Sequence, residues 1–100
     1  MNRDTLSNKM RRLTLASIYE AKSGHPGGAL SCIDLINLVI CENINLKNPD
    51  DRFILSKGHA APALYSAAYF NGWVELEELA KLRKINSILQ GHPDVSKTPW

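Results

Sequence analysis

The stretch Asp51-Arg52-Phe53-Ile54-Leu55-Ser56-Lys57-Gly58-His59 decides the fold class. Its middle, Arg52 to Ser56, has the length and apolar density of a strand buried on both faces, as in a parallel sheet. Lys57-Gly58-His59 ends the extended run, and the apolar residues from about Ala60 to Phe70 predict a helix. Pro62 is tolerable there because amide hydrogens in a first turn have no intrahelical partner. Asn71-Gly72 closes the helix. Strand, loop and helix make half of an α/β unit. A doubly wound sheet needs several strands, and no second good candidate occurs. Either the other strands belong to chain outside this segment, or the piece is a small helical domain with one decorative strand.

Upstream, Leu6, Met10, Leu13 and Ala16 recur at helical spacing between Asp4 and Lys22, while Lys9, Arg11, Arg12 and Glu20 take other faces. Ser23-Gly24-His25-Pro26-Gly27-Gly28 stops that helix, since its glycines and proline supply unusual backbone angles and no helix propensity. A second helix is expected from Ser31, whose hydroxyl and Asp34 resemble a capping box, to about Glu42. It is apolar nearly all round and should be covered on most sides. Asn45 to Asp51 reads as a turn. Downstream, a fourth helix is expected over Glu75 to Ile85. Glu75, Glu77 and Glu78 stand at its start and Lys81, Arg83 and Lys84 at its end, which matches the macrodipole, and Leu76, Leu79 and Leu82 face inward. Asn86 to Trp100 has no periodicity and reads as loop.

The bulk properties narrow the function classes. A hydrophobic share of 44% against 22% charged describes a globular chain rather than a disordered one. With a net charge of +2 and basic residues scattered among acids, no nucleic-acid partner is expected, although phosphorylated small molecules could still be steered in. The longest apolar run, Leu38 to Cys41, is too short to span a bilayer, and Met1 to Ser7 lacks a signal-peptide core. No membrane association and a cytoplasmic location are therefore expected. Cys32 and Cys41, nine positions apart on one expected helix, would face opposite ways at roughly 13 Å, too far to bridge. Reduced thiols follow.

All three histidines follow glycine: Gly24-His25, Gly58-His59 and Gly91-His92. Their intervals of 34 and 33 residues suggest a repeat, but the segments after them do not match, so a repeat is rejected. Each lies at an expected loop or element end, where a preceding glycine lets backbone approach a ligand closely. His59 follows the carboxyl end of the expected strand and precedes a helix amino terminus, where free amide hydrogens favour an anion such as phosphate. The bland reading, turn histidines satisfied by nearby carbonyls, stays open beside it. A three-histidine zinc site is a weaker third reading, because no two of the ligands share a helical turn and no cysteine or carboxylate sits at ligand spacing.

Three ordered motifs, Ser23-Gly-His-Pro-Gly-Gly28, then Asp51 to His59 with Leu64-Tyr65, then Leu82-Arg83 followed by Gly91-His-Pro-Asp94, together resemble the amino-terminal region of transketolases over almost the whole chain, from about Leu6 to Pro99. The resemblance implies an α/β, thiamine-diphosphate-binding fold of which residues 1–100 are an incomplete amino-terminal part, mostly helical with one parallel-type strand. It implies transfer of a two-carbon ketol unit from a ketose phosphate to an aldose phosphate. His59 then looks like the contact to the cofactor's diphosphate. His25 and His92 look like catalytic and substrate-binding residues, His25 near the donor's hydroxyl and carbonyl and His92 on the upper hydroxyls. Arg83 fits the family's arginine before the third histidine, with no role attached.

The family's chemistry belongs to the cofactor, so the histidines would orient hydroxyls and move protons. The resemblance also implies a divalent cation, magnesium or calcium, held by a Gly-Asp-Gly motif and an asparagine. No Gly-Asp-Gly occurs in this sequence, so no metal ligand is assigned here. The partners implied are sugar phosphates and either the remainder of the enzyme or a homodimer mate. The alternatives are a fragment of deoxyxylulose-phosphate synthase or dihydroxyacetone synthase, a split-enzyme piece, and a noncatalytic remnant that binds a partner protein. On every one of these readings the segment alone is expected to be inactive.

Overall fold

A computed structural model describes residues 2–22, 24–41, 53–93 and 97, with only the backbone at Cys41. The first helix, α1 (Arg3–Ala21), starts where Asn2 turns extended and its Oδ1 accepts from the Thr5 amide at 2.8 Å, a side-chain cap of the usual kind. It stops at Lys22, which swings into the left-handed region at φ 54°. Its buried stripe is Ser7, Met10, Thr14, Ser17 and Ile18, at helical spacing but rotated from the expected one. Ala16 is exposed and Leu15 is 45% exposed. The rotation puts Thr14 against the central helix α4 (Ala61–Phe70). Thr14 Oγ1 and Ser66 Oγ meet there at 2.8 Å, so each buried hydroxyl satisfies the other.

Helix α4 is the pillar of the fold. Every residue from Ala61 to Ala68 is buried, as an all-round apolar helix requires. Ala63, Leu64 and Ala67 face one core with Met10, Ile33, Ile36 and Ile40. Ala61, Tyr65 and Ala68 face a second core with Val74, Leu79, Leu82 and Leu89. Asn71 and Gly72, the latter at φ 78°, end the helix as the sequence indicates.

The second helical stretch begins earlier than expected. α2 (Pro26–Ser31) opens at Pro26, whose fixed φ and missing amide suit a first helical position, and it takes Gly27 and Gly28 into the helix. Ser31 is consequently no cap, and its hydroxyl donates back to the Gly28 carbonyl at 2.9 Å. The chain bends at Cys32 into α3 (Ile33–Ile36) and widens to π-helical turns over Asn37–Cys41. At that point the Asn37 amide turns toward α1, donating to Ser7 Oγ at 2.8 Å and to the Arg3 carbonyl at 3.1 Å. The segment is also less covered than its composition suggests, since Leu35 is 65% exposed. Glu42, the turn over residues 45–51 and Ser23 lie outside the described residues.

The expected parallel-type strand, whose first residue Arg52 lies outside the described residues, is not confirmed. Residues 53–55 carry no regular structure, Ile54 is 83% exposed, and there is no strand among the described residues. A strand is held by a ladder to a neighbour, and an apolar run with no partner strand cannot make one. Phe53 and Leu55 instead pack their partly buried side chains on the first core. The fourth helix is also shorter than expected. α5 (Leu76–Leu79) gives way to turns. Arg83 adopts φ 63° and donates its amide to the Leu89 carbonyl at 2.8 Å, which ends helical bonding there. Leu79 and Leu82 are buried as expected, while Leu76 is 52% exposed.

Candidate functional site

His25 caps α2 through its backbone, in a non-helical conformation that its side chain does not bond to. His59 sits in a 3-10 turn, Gly58–Ala60, that runs directly into α4. Their rings meet edge to face, with centroids 5.7 Å apart and planes at 88°. Residues separated by 34 positions in sequence are thus neighbours at the junction of two helix starts.

Glycines seat the site. A Cβ built on Gly28 would lie 3.2 Å from both Cδ2 and Nε2 of His59, so the imidazole lies against bare backbone of α2. A Cβ on Gly58 would overlap the His92 ring, with Cε1 at 2.9 Å and Cγ at 3.0 Å. A Cβ on Gly91 would meet the Arg83 guanidinium at 3.1 Å from Cζ and 3.2 Å from Nη1. The result is a chain of contacts from His25 to His59, on to His92 through Gly58, and on to Arg83 through Gly91. All three histidines are exposed. The glycines that precede His59 and His92 therefore make room for neighbouring side chains. Gly24 differs, with φ 148° and the Ile18 side chain beneath it.

Sequence reasoning missed Lys57. Its ammonium donates to the Gly28 carbonyl and to Ser31 Oγ, each at 3.1 Å, and ties the turn carrying His59 to the helix that His25 starts. The Lys-Gly-His triplet was legible, but its long-range partner was not. Of the amides around His59, those of Ala60 and Ala61 bond back to Lys57 and Gly58 and Pro62 has none, which leaves the Gly58 and His59 amides without an acceptor among the described residues. Among the described residues no group of three or more His, Cys, Asp or Glu side chains is placed to hold a metal ion, so the zinc reading finds no support in this arrangement. Asp94, Pro99 and Trp100 lie outside the described residues.

A family profile described as "Transketolase, thiamine diphosphate binding domain" matches residues 2–100. The chain belongs to this family. It is similar to transketolase 2 of Escherichia coli K12, at 37% identity over 107 residues covering 99% of the chain and 16% of that protein. The transketolase of Aquifex aeolicus is 40% identical over 99 residues, covering 92% of the chain and 14% of that protein. The chain spans about 16% of the length of the curated relatives it matches. In this transketolase-family segment no described helix is long and apolar enough to cross a membrane.

Cys32 lies on the edge of the site. Its thiol donates to the Ala29 carbonyl at 3.3 Å, and burial pushes its pKa up while Lys57 pulls it partly back. The neutral thiol is therefore held at pH values where a free cysteine begins to ionise. Alkylation of Cys32 by iodoacetamide at pH 8, followed by peptide mass spectrometry, is expected to run several-fold slower than for free cysteine. Replacing Lys57 with alanine is expected to slow it further, and equal rates in all three would contradict this account.

Proposed function

We propose that residues 2–100 are the amino-terminal part of a domain that binds thiamine diphosphate, in a protein that moves a two-carbon ketol unit from a ketose phosphate to an aldose phosphate. The observation that carries the reading is the contact chain of His25, His59 and His92, exposed together on a segment matched throughout by the family. When bound, thiamine diphosphate supplies the carbon centre at which the ketol unit is carried.

The described residues fit part of that group. Three exposed imidazoles, two of them seated on glycine backbone, offer donors for phosphate oxygens and sugar hydroxyls, and the described residues offer no carboxylate set for a divalent cation. His59 would hold a diphosphate oxygen. His25 would hydrogen-bond the donor sugar's hydroxyl and carbonyl or move a proton there, and His92 would bind its upper hydroxyls. A magnesium or calcium ion would take its ligands from residues outside this segment. The same reading places the protein in the cytoplasm, with sugar phosphates as substrates and further chain or a second copy as partner.

A graft of residues 2–100 in place of the matching segment of Escherichia coli transketolase 2 tests the assignment. The graft is expected to retain ketol transfer. His59→Ala within it should raise the Kd for thiamine diphosphate about 10- to 100-fold, the worth of one hydrogen bond to a charged group. His25→Ala or His92→Ala should lower kcat/KM by about 100-fold or more while leaving that Kd nearly unchanged. An unaltered Kd in His59→Ala would refute the diphosphate role. Titration of the 100-residue chain alone with thiamine diphosphate and magnesium should give little or no heat, because the sequence has no Gly-Asp-Gly and the described residues hold no ligand set for the metal that neutralises most phosphate charge.

A further inference from the structure

We propose that Arg83 is the positioning residue for His92, acting through Gly91 by laying its guanidinium plane over the glycine that precedes the histidine. The inference deepens the reading above, in which His92 faces substrate. Its structural part stands without that reading.

Among the described residues, hydrogen bonds fix the loop from Arg83 to His92 up to residue 90. Arg83 donates its amide to the Leu89 carbonyl at 2.8 Å. The Tyr65 hydroxyl donates to the Gln90 carbonyl at 2.6 Å, and the Gln90 side chain donates to the Ser87 carbonyl at 2.6 Å. Beyond that point, neither Gly91 nor His92 makes a hydrogen bond among the described residues. What touches them are two surfaces. The Arg83 guanidinium covers Gly91, and the His92 ring lies on Gly58.

The guanidinium is uncommitted otherwise, with no carboxylate or hydrogen-bond acceptor among the described residues. A planar, weakly hydrated cation can cover bare backbone with one face and keep its edge in water, which an ammonium cannot do. The position also bears a backbone cost. Arg83 holds φ 63°, a conformation that glycine or asparagine adopts more readily. An arginine kept in that conformation, with no partner among the described residues except the glycine before His92, is explained by the surface it provides.

Two substitutions separate side chain from backbone. Arg83→Gly relaxes the left-handed turn and removes an exposed side chain with its guanidinium, so the chain should fold as well as before. The readout is the nuclear Overhauser cross-peak between the His92 ring and the Gly58 Hα protons in the full 100-residue chain, with the His25 to His59 ring cross-peak as internal reference. Loosening of the seat by about 1 Å should cut the first cross-peak about threefold or more and leave the second intact. Gly91→Ala should produce the same loss by displacing the guanidinium, and should add nothing in the Arg83→Gly background. An unchanged His92 to Gly58 cross-peak in Arg83→Gly would overturn the proposal. So would loss of both cross-peaks together, which would make Arg83 a support of the whole fold instead of His92. Neither readout involves cofactor or sugar, so failure of the ketol-transfer reading would leave this result standing.

Discussion

Replacing Tyr65 with alanine is expected to cost about 3–5 kcal/mol of folding stability, the range for emptying a buried aromatic site. Tyr65 is the largest fully buried side chain among the described residues, and it stands where α4 meets Leu79, Leu82 and Leu89. A domain of this size is stable by only about 5–15 kcal/mol, so the variant should lose a large share of its margin. Urea unfolding followed by far-ultraviolet circular dichroism would show it as a lower midpoint. Tyr65→Phe keeps the ring and removes the hydroxyl that holds the Gln90 carbonyl at 2.6 Å. That change should cost about 1–2 kcal/mol, because the carbonyl is left without its donor. The pair of variants separates packing from anchoring. If both midpoints matched that of the unchanged chain, the second core would not be organised around this ring.

Gly58→Ala is expected to have the opposite profile, with little effect on stability and a large effect on the site. Gly58 has no positive φ, so alanine can adopt its backbone, and the glycine's extra entropy in the unfolded chain favours the substitution slightly. The new methyl, however, would occupy the space of the His92 ring. His92 is exposed, so the ring can swing aside at a cost below about 1 kcal/mol. On the proposed function, a substrate-side imidazole displaced by about 1 Å costs on the order of 100-fold in turnover. In the Escherichia coli graft, kcat/KM for ketol transfer should fall by that order while the urea midpoint moves little. Full activity in Gly58→Ala would remove His92 from the substrate side. A collapsed midpoint would mean that Gly58 serves the fold and not the histidine.

Much of this molecule was readable from residue patterns. The period of the first helix, the apolar run from Ala61 to Phe70, its end at Asn71-Gly72 and the three glycine-histidine pairs are local signals, set by contacts a few positions apart. The resemblance carried by Ser23 to Gly28, Asp51 to His59 and Gly91 to Asp94 led to the family that the comparison shows. Errors fell where a local signal needed a distant partner. Phe53 to Leu55 has the composition of a strand, but composition supplies no ladder, and the chain stays irregular there. Leu15 and Ala16 are as apolar as a core position needs, yet Ser7, Thr14 and Ser17 are buried, because each hydroxyl finds its own partner: Asn37 for Ser7, Ser66 for Thr14 and the Leu13 carbonyl for Ser17.

By itself, then, the sequence determined that α1 and α4 are helical, that Asn71-Gly72 ends the second of these and which family the chain belongs to, because each of these is written in neighbouring residues. Only the tertiary structure decided what the glycines are for. Gly28, Gly58 and Gly91 leave space for His59, His92 and Arg83, and two of those three partners lie more than 30 positions away along the chain. A missing side chain has no pattern of its own, and its meaning appears only when another residue fills the room it leaves.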